Sequence, residues 1–199
     1  MLPRYVLLDR DGVINTYQPG RYVNSPGDLK FIRGSLAAIR SLTEKGIGIV
    51  VISNQAGVGK GLMRRETLDD VTRKMLKTIE EKGGRIREVK YCCHEPDAGC
   101  RCRKPAPGMI LEAARRHKFR PADVVFIGDS RTDIEAAGAA GCPSILVLSG
   151  QQKNPDFADW LVKPDAIERN LQAAVRMIFA GNWRPRRARS GRVRAKRTR

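Results

Sequence analysis

The sequence predicts an α/β protein in three layers: a parallel, Rossmann-like sheet with helices on both faces. Three observations predict it. Short runs rich in Val, Ile and Leu alternate with helical patterns from residue 5 to residue 179, the order of linked right-handed βαβ units. The run IGIVVIS at 47–53 is continuously apolar, as a strand covered on both faces requires. Finally, the acidic and thiol-rich clusters follow directly on strand-like runs, at the sheet edge where α/β proteins bind ligands.

The predicted strands are YVLLD (5–9), IGIVVIS (47–53), IREVKYC (86–92), DVVFIGD (123–129) and PSILVLS (143–149). Helical periodicity covers residues near 35–45, 66–82, 107–118, 131–140 and 165–179. The chain of 199 residues suits one domain with its own core, placed at 1–183. The remainder, RPRRARSGRVRAKRTR at 184–199, is an Arg-rich tail with almost no apolar content and is predicted disordered. Nine of its residues are basic and none acidic, so the net charge of +17 falls to +8 without it. That remainder suits an anionic substrate. The tail is either a solubilising extension or an electrostatic contact for nucleic acid or another anionic surface. The chain lacks the apolar run of about 18 residues that a membrane span needs. Its start, MLPRYVLLDRDG, lacks a signal peptide's pattern, so a cytoplasmic location is expected.

Asp9 and Asp11 stand two apart at the end of the first strand, where both point the same way and repel. A divalent cation offsets that cost. Asp129 ends the fourth strand, and carboxylates completed by water and a phosphate oxygen describe a Mg²⁺ site. With the cation present, Asp9 can attack phosphorus and form an aspartyl-phosphate. Asp11 can protonate the leaving oxygen and then activate water. Lys104 and Ser53 can stabilise the equatorial oxygens, and Gly12 lets the backbone approach the phosphate closely. Asp133, four after Asp129, is either a helix cap or a further acidic ligand. The segment NQAGVGKG is not a Walker A loop, since Asn54 and Gly61 stand where that motif needs Gly and Ser/Thr. Its glycines 57, 59 and 61 are expected in a flexible turn, with Lys60 solvated.

Four of the five cysteines fall within YCCHEPDAGCRCRKP. Cys92, His94, Cys100 and Cys102 have the spacing of a closed tetrahedral Zn²⁺ site that would staple the loop, with Cys93 a thiol that could replace a neighbour. Cys142 is expected to be a small buried residue, and His117 exposed and inert.

These residues resemble the haloacid-dehalogenase-like phosphatases. LLDRDGVIN matches the nucleophile motif, VISN the second, RKP the third and IGDSRTD the fourth. The loop before RKPAPGM resembles the heptose-bisphosphate and histidinol-phosphate phosphatase subgroup, and the likeness spans about residues 4–180. It implies Mg²⁺ held by Asp9, Asp129 and the Asp11 backbone carbonyl. It also implies substrate contacts at Asn54, Gln55, Arg103 and Ser130, with Arg103 reading the far end of the substrate. The segment TYQPGRYVNSPGDLKFI would be a small flap in place of a large cap. The implied reaction removes the 7-phosphate of a heptose 1,7-bisphosphate, on the way to nucleotide-activated heptose and surface polysaccharide; the enzyme is expected to be a monomer.

Three features depart from the subgroup: Cys93 stands where proline is usual, Ser130 where some relatives carry lysine, and the tail has no counterpart. One alternative is histidinol phosphate as substrate, against which GMILEAARR and SPGDLKFIRGS lean to heptose. A nucleic-acid 3′-phosphatase is weakened because the charge sits in the tail and the chain has no aromatic stacking platform. A non-catalytic RNA-associated protein would have a broken acidic set, yet Asp9, Asp11, Lys104 and Asp129 are all present.

Overall fold

In the computed structural model, residues 2–181 are described; the predicted tail at 184–199 lies outside them. Six parallel strands run in the order β3-β2-β1-β4-β5-β6: β1 (Tyr5–Leu8), β2 (Gly48–Asn54), β3 (Glu88–Cys92), β4 (Val125–Gly128), β5 (Ser144–Val147) and β6 (Ala166–Glu168). The helices are α1 (Ser35–Glu44), α2 (Ala56–Gly59), α3 (Arg65–Glu81), α4 (Gly108–His117), α5 (Arg131–Ala140) and α6 (Leu171–Phe179).

Strand periodicity divides the apolar residues between two cores. Val6, Leu8, Ile49, Val51, Val125 and Ile127 pack with residues of α1, α3 and α6. The intervening Leu7, Val50, Ile52 and Phe126 pack with Met109, Ile110 and Ala113 of α4 and Ala136 and Ala137 of α5. Helix α3 shows how the sequence achieves this. Its buried residues, Leu68, Val71, Met75 and Ile79, fall at helical spacing on one face, while its charges stay outside.

The strand order reverses between β1 and its neighbour β4, paired Val6↔Val125 through Leu8↔Ile127. A crevice opens beyond the carboxyl ends at such a switch point, and Asp9 and Asp129 stand on either side of it.

Two expectations about elements are corrected. The predicted helix at 165–179 is split: Ala166–Glu168 forms strand β6 against β5, with Ile145↔Ala166 through Val147↔Glu168 in register. Helix α6 starts only after Asn170, whose side chain accepts from the Ala173 N–H, so the edge of β5 and the Asn cap override local helical preference. The turn expected at glycines 57–61 begins as the single helical turn α2. Gly57 and Gly59 are there for close packing. A Cβ on Gly57 would lie 3.0 Å from the Tyr22 ring, and one on Gly59 would lie 2.4 Å from the Cys93 carbonyl oxygen.

Candidate active site

The strand ends converge on one cavity of about 950 Å³, walled by Asp9, Asp11, Ser53, Asn54, Gln55, Arg103, Lys104, Asp129 and Ser130 together with flap residues such as Tyr17, Arg21, Tyr22 and Lys30. At its floor the Lys104 ammonium, 4% exposed, bonds to Asp9 Oδ1 at 2.8 Å and to the Ile52 carbonyl oxygen at 3.0 Å. It also lies 2.5 Å from Asp133 Oδ1, an ion pair without good hydrogen-bond geometry. Burial works against this cation, but the charges of Asp133 and Asp9 outweigh it and raise its pKa. Lys104 therefore stays charged in the floor of the pocket.

Asp9 and Asp129 have the opposite imbalance. Burial, only partly countered by Lys104, pushes the Asp9 carboxyl up to about 6, with Asp133 and Asp11 adding to the rise. Asp129 is also raised, by burial and then by Asp133 and Asp9. Its Oδ2 accepts from the Gln151 N–H at 2.6 Å. The oxygens of Asp9, Asp129 and Asp133 lie within 4.8 Å of one another. Asp133 is already committed: its Oδ2 accepts from the Asp129 and Ser130 N–H groups and the Ser130 hydroxyl, and its Oδ1 faces Lys104. Asp9 and Asp129 thus supply the hard, undercompensated oxygens that fit Mg²⁺.

Asp11 sits differently. Its carboxylate accepts from Arg10 Nε and Nη2, from Asn15 Nδ2 at 2.8 Å and from Gln55 Nε2 at 2.7 Å. Burial alone would raise its pKa, but Arg10 and these hydrogen bonds lower it. Ser53, 1% exposed, accepts from Gln55. Asn54 clasps the Lys104 backbone, donating to its carbonyl oxygen at 3.0 Å and accepting from its N–H at 3.1 Å. Ser130 is the N-cap of α5, in a capping box with Asp133; its hydroxyl serves the helix, although the residue lines the pocket. Asp133 fills the first of the two roles the sequence leaves open, as a capping-box residue; its Oδ1 faces Lys104 and lies together with the Asp9 and Asp129 oxygens.

Gly12 adopts φ +86°, and a Cβ there would stand 2.1 Å from Asp129 Oδ2 and 2.8 Å from the Gly150 Cα. Within the structure its lack of a side chain makes room for the Asp129 carboxylate, a role the expected approach to phosphate did not include.

The thiol loop closes as its spacing predicts. Cys92, His94, Cys100 and Cys102 come together, with ligand atoms separated by 3.2–3.7 Å along the observed pairs. Those are the edges of a tetrahedron with bonds of about 2.1–2.3 Å, which a zinc ion would fill. Cys93 lies outside the cluster. Arg103, next to the last thiol, points Nη1 at the His94 carbonyl oxygen, 3.5 Å away. Cys142 is buried, as expected. His117 is not exposed and free: its Nε2 lies 2.8 Å from Glu88 Oε2, and its ring packs on Tyr5. Its neighbours on the sheet edge, invisible in a linear reading, enclose it.

The sequence reading passed over Arg10, Asn15 and Gln151, and Asp133 as the counterion of Lys104. The signal for Gln151 was present, since SGQQ follows the fifth strand at the same edge. Arg10 carried no such signal, because a lone Arg between two aspartates reads as a surface charge.

A D-glycero-β-D-manno-heptose-1,7-bisphosphate 7-phosphatase of Bordetella bronchiseptica is 40% identical over 147 residues, covering 74% of this chain and 82% of that protein. The chain belongs to the heptose-bisphosphate phosphatase family. The Pseudomonas putida member is 38% identical, over 74% of this chain and 84% of its own length. The HAD-hydrolase-like family profile matches residues 101–174. The crystal structure of the B. bronchiseptica D,D-heptose 1,7-bisphosphate phosphatase, complexed with magnesium and phosphate, superposes with a TM-score of 0.84 at 35% identity, covering 89% of this chain and 99% of that one. The Burkholderia thailandensis phosphatase gives 0.69 at 31% identity, with the same coverage. Heptose-bisphosphate phosphatases are phosphoric monoester hydrolases, and this chain has their HAD-like, Rossmann-type sheet. Among the described residues no helix is long and apolar enough to cross a membrane.

Proposed function

We propose that this chain is a Mg²⁺-dependent phosphatase that removes the 7-phosphate of D-glycero-β-D-manno-heptose 1,7-bisphosphate. One observation carries the reading: Asp9, Asp11, Ser53 and Asp129, from the ends of three strands, and Lys104, from the loop after the thiol cluster, converge on a single pocket in a chain similar to enzymes of that name. The preference for the β-anomer rests on the names of those relatives.

Asp9 is the nucleophile. Its carboxylate oxygen forms a bond to phosphorus as the bond from phosphorus to the sugar oxygen breaks, and Asp11, which first takes up a proton from solvent against the lowering by Arg10, delivers that proton to the departing alkoxide. Asp11 then takes a proton from water, whose oxygen attacks phosphorus, releases inorganic phosphate and restores Asp9. Lys104 and the Ser53 hydroxyl stabilise the equatorial oxygens. Asp9, Asp129 and the Asp11 carbonyl hold Mg²⁺, which supplies charge neutralisation for the transferring group. Arg103 fits the far phosphate, because a guanidinium fork binds two oxygens together. Zinc in the Cys92, His94, Cys100 and Cys102 set is structural: the set is closed, with no open position for chemistry. The monomeric state and the cytoplasmic location are expectations of the sequence reading alone.

The test is phosphate release with Mg²⁺ on both heptose 1,7-bisphosphate anomers, histidinol phosphate and a 3′-phosphorylated oligonucleotide. A preference for the β-anomer, abolished in Asp9→Asn, supports the proposal. Preference for another of the four overturns the substrate assignment.

A further inference from the structure

Gln55 stands where the family resemblance implies a substrate contact and lines the pocket, yet its amide is spent on protein groups. The residue is 2% exposed. Nε2 donates to Asp11 Oδ2 at 2.7 Å and to Ser53 Oγ at 3.1 Å, and Oε1 accepts from Arg10 Nη2 at 2.9 Å. Both amide hydrogens are therefore used. The orientation of the amide is also determined: turned over, its oxygen would face the Asp11 carboxylate and its NH₂ the guanidinium. The backbone is fixed as well, with the Gln55 N–H donating to the Cys92 carbonyl oxygen at 2.7 Å.

We propose that Gln55 is a positioning residue, which sets the Asp11 carboxylate and the Ser53 hydroxyl relative to each other, is itself oriented by Arg10, and makes no bond to substrate. This rests on the roles given above to Asp9 and Asp11. An acid that must meet the leaving oxygen and a hydroxyl that must meet the phosphoryl group need a fixed separation, since a displacement of about 1 Å costs on the order of 100-fold in rate. One amide spanning both groups from a strand end supplies it. Asn15 and Arg10 hold the remaining sides of Asp11, so Gln55 is the one of its partners that also reaches the phosphoryl-binding hydroxyl.

The test compares kcat/KM on two substrates, because that quantity reports the step in which the leaving group departs. The heptose bisphosphate expels an alkoxide that needs a proton, whereas p-nitrophenyl phosphate expels a phenolate that does not. In Gln55→Met, kcat/KM should fall about 100-fold on the sugar and less than about tenfold on the aryl phosphate. In an Asp11→Ala background the same change should lower the sugar value by no more than it lowers the aryl phosphate value in the wild-type background, which is the share carried by Ser53, since the rest of the effect runs through Asp11. Equal losses on both substrates, or a full further loss without Asp11, would overturn the proposal. If Gln55→Met does not fold, Gln55→Asn, which keeps a neutral amide but is one methylene too short to span both groups, is read in the same way; failure of both to fold would make Gln55 a structural residue and also overturn it. Wild type separates the two readings. Turnover of the aryl phosphate but not the heptose sinks only the substrate assignment, and the comparison then uses histidinol phosphate as the alkyl ester. Turnover of none sinks the phosphatase reading itself.

Discussion

At Gly12 a positive φ and two close neighbours meet. Any side chain there displaces Asp129 Oδ2 or Gly150, so Gly12→Ala should weaken Mg²⁺ binding and lower kcat/KM by at least about tenfold, as disturbed metal sites commonly do; titration calorimetry and steady-state kinetics check it. Ser130 gives the opposite case. Its hydroxyl caps α5, so Ser130→Ala should cost about 1 kcal/mol in urea denaturation while changing kcat/KM less than a lost substrate contact would. A large rise in KM with unchanged stability would return Ser130 to the substrate. The raised carboxyls set a pH dependence. Asp9, near 6 without metal, and Asp129 bind protons at acid pH in competition with the cation. Mg²⁺ affinity should therefore rise as pH climbs from about 5 to about 7; an affinity flat over that range in calorimetry would contradict the burial argument.

At the scale of elements, the loop carrying Cys92, His94, Cys100 and Cys102 has no apolar core of its own, and Arg103 and Lys104 follow its last thiol. Cys100→Ser should lose zinc by metal analysis, lower the Tm and reduce activity by about 10- to 100-fold, since Lys104 depends on that loop for its approach to Asp9. Zinc retained in Cys100→Ser but lost in Cys100→Ser with Cys93→Ser would show that Cys93 can replace a ligand. This loop was legible because metal ligation depends on residue type and short spacing, both local. So were the four strands nearest the site, whose apolar runs are long relative to their flanks. Strand β6 was not legible: three residues carry no period, and its only reason to be extended is the free edge of β5. His117 was misread for a related reason, because Glu88 and Tyr5 reach it across the sheet.

Across the whole molecule, the sheet order explains why residues distant in sequence act together. Reversal between β1 and β4 places Asp9 beside Asp129, β2 adds Ser53 through Gln55, and the β5 loop returns Gln151 to Asp129. Sequence alone located these ends on one edge but could not assign partners: the bonds from Gln55 to Asp11 and from Ser130 to Asp133 appear only in the fold. The residues that line the pocket run from Asp9 to Gln151; a chain ending before residue 184 should keep kcat/KM on the heptose bisphosphate within about twofold, well under the tenfold that 1.4 kcal/mol represents. The central claim is covalent transfer to Asp9, and one measurement tests it most directly: acid quench during turnover of substrate labelled in the 7-phosphate, followed by peptide mapping. Label on the peptide that contains Asp9, absent in Asp9→Asn, is the predicted result. Label on another residue, or phosphate release by Asp9→Asn at the wild-type rate, would contradict it.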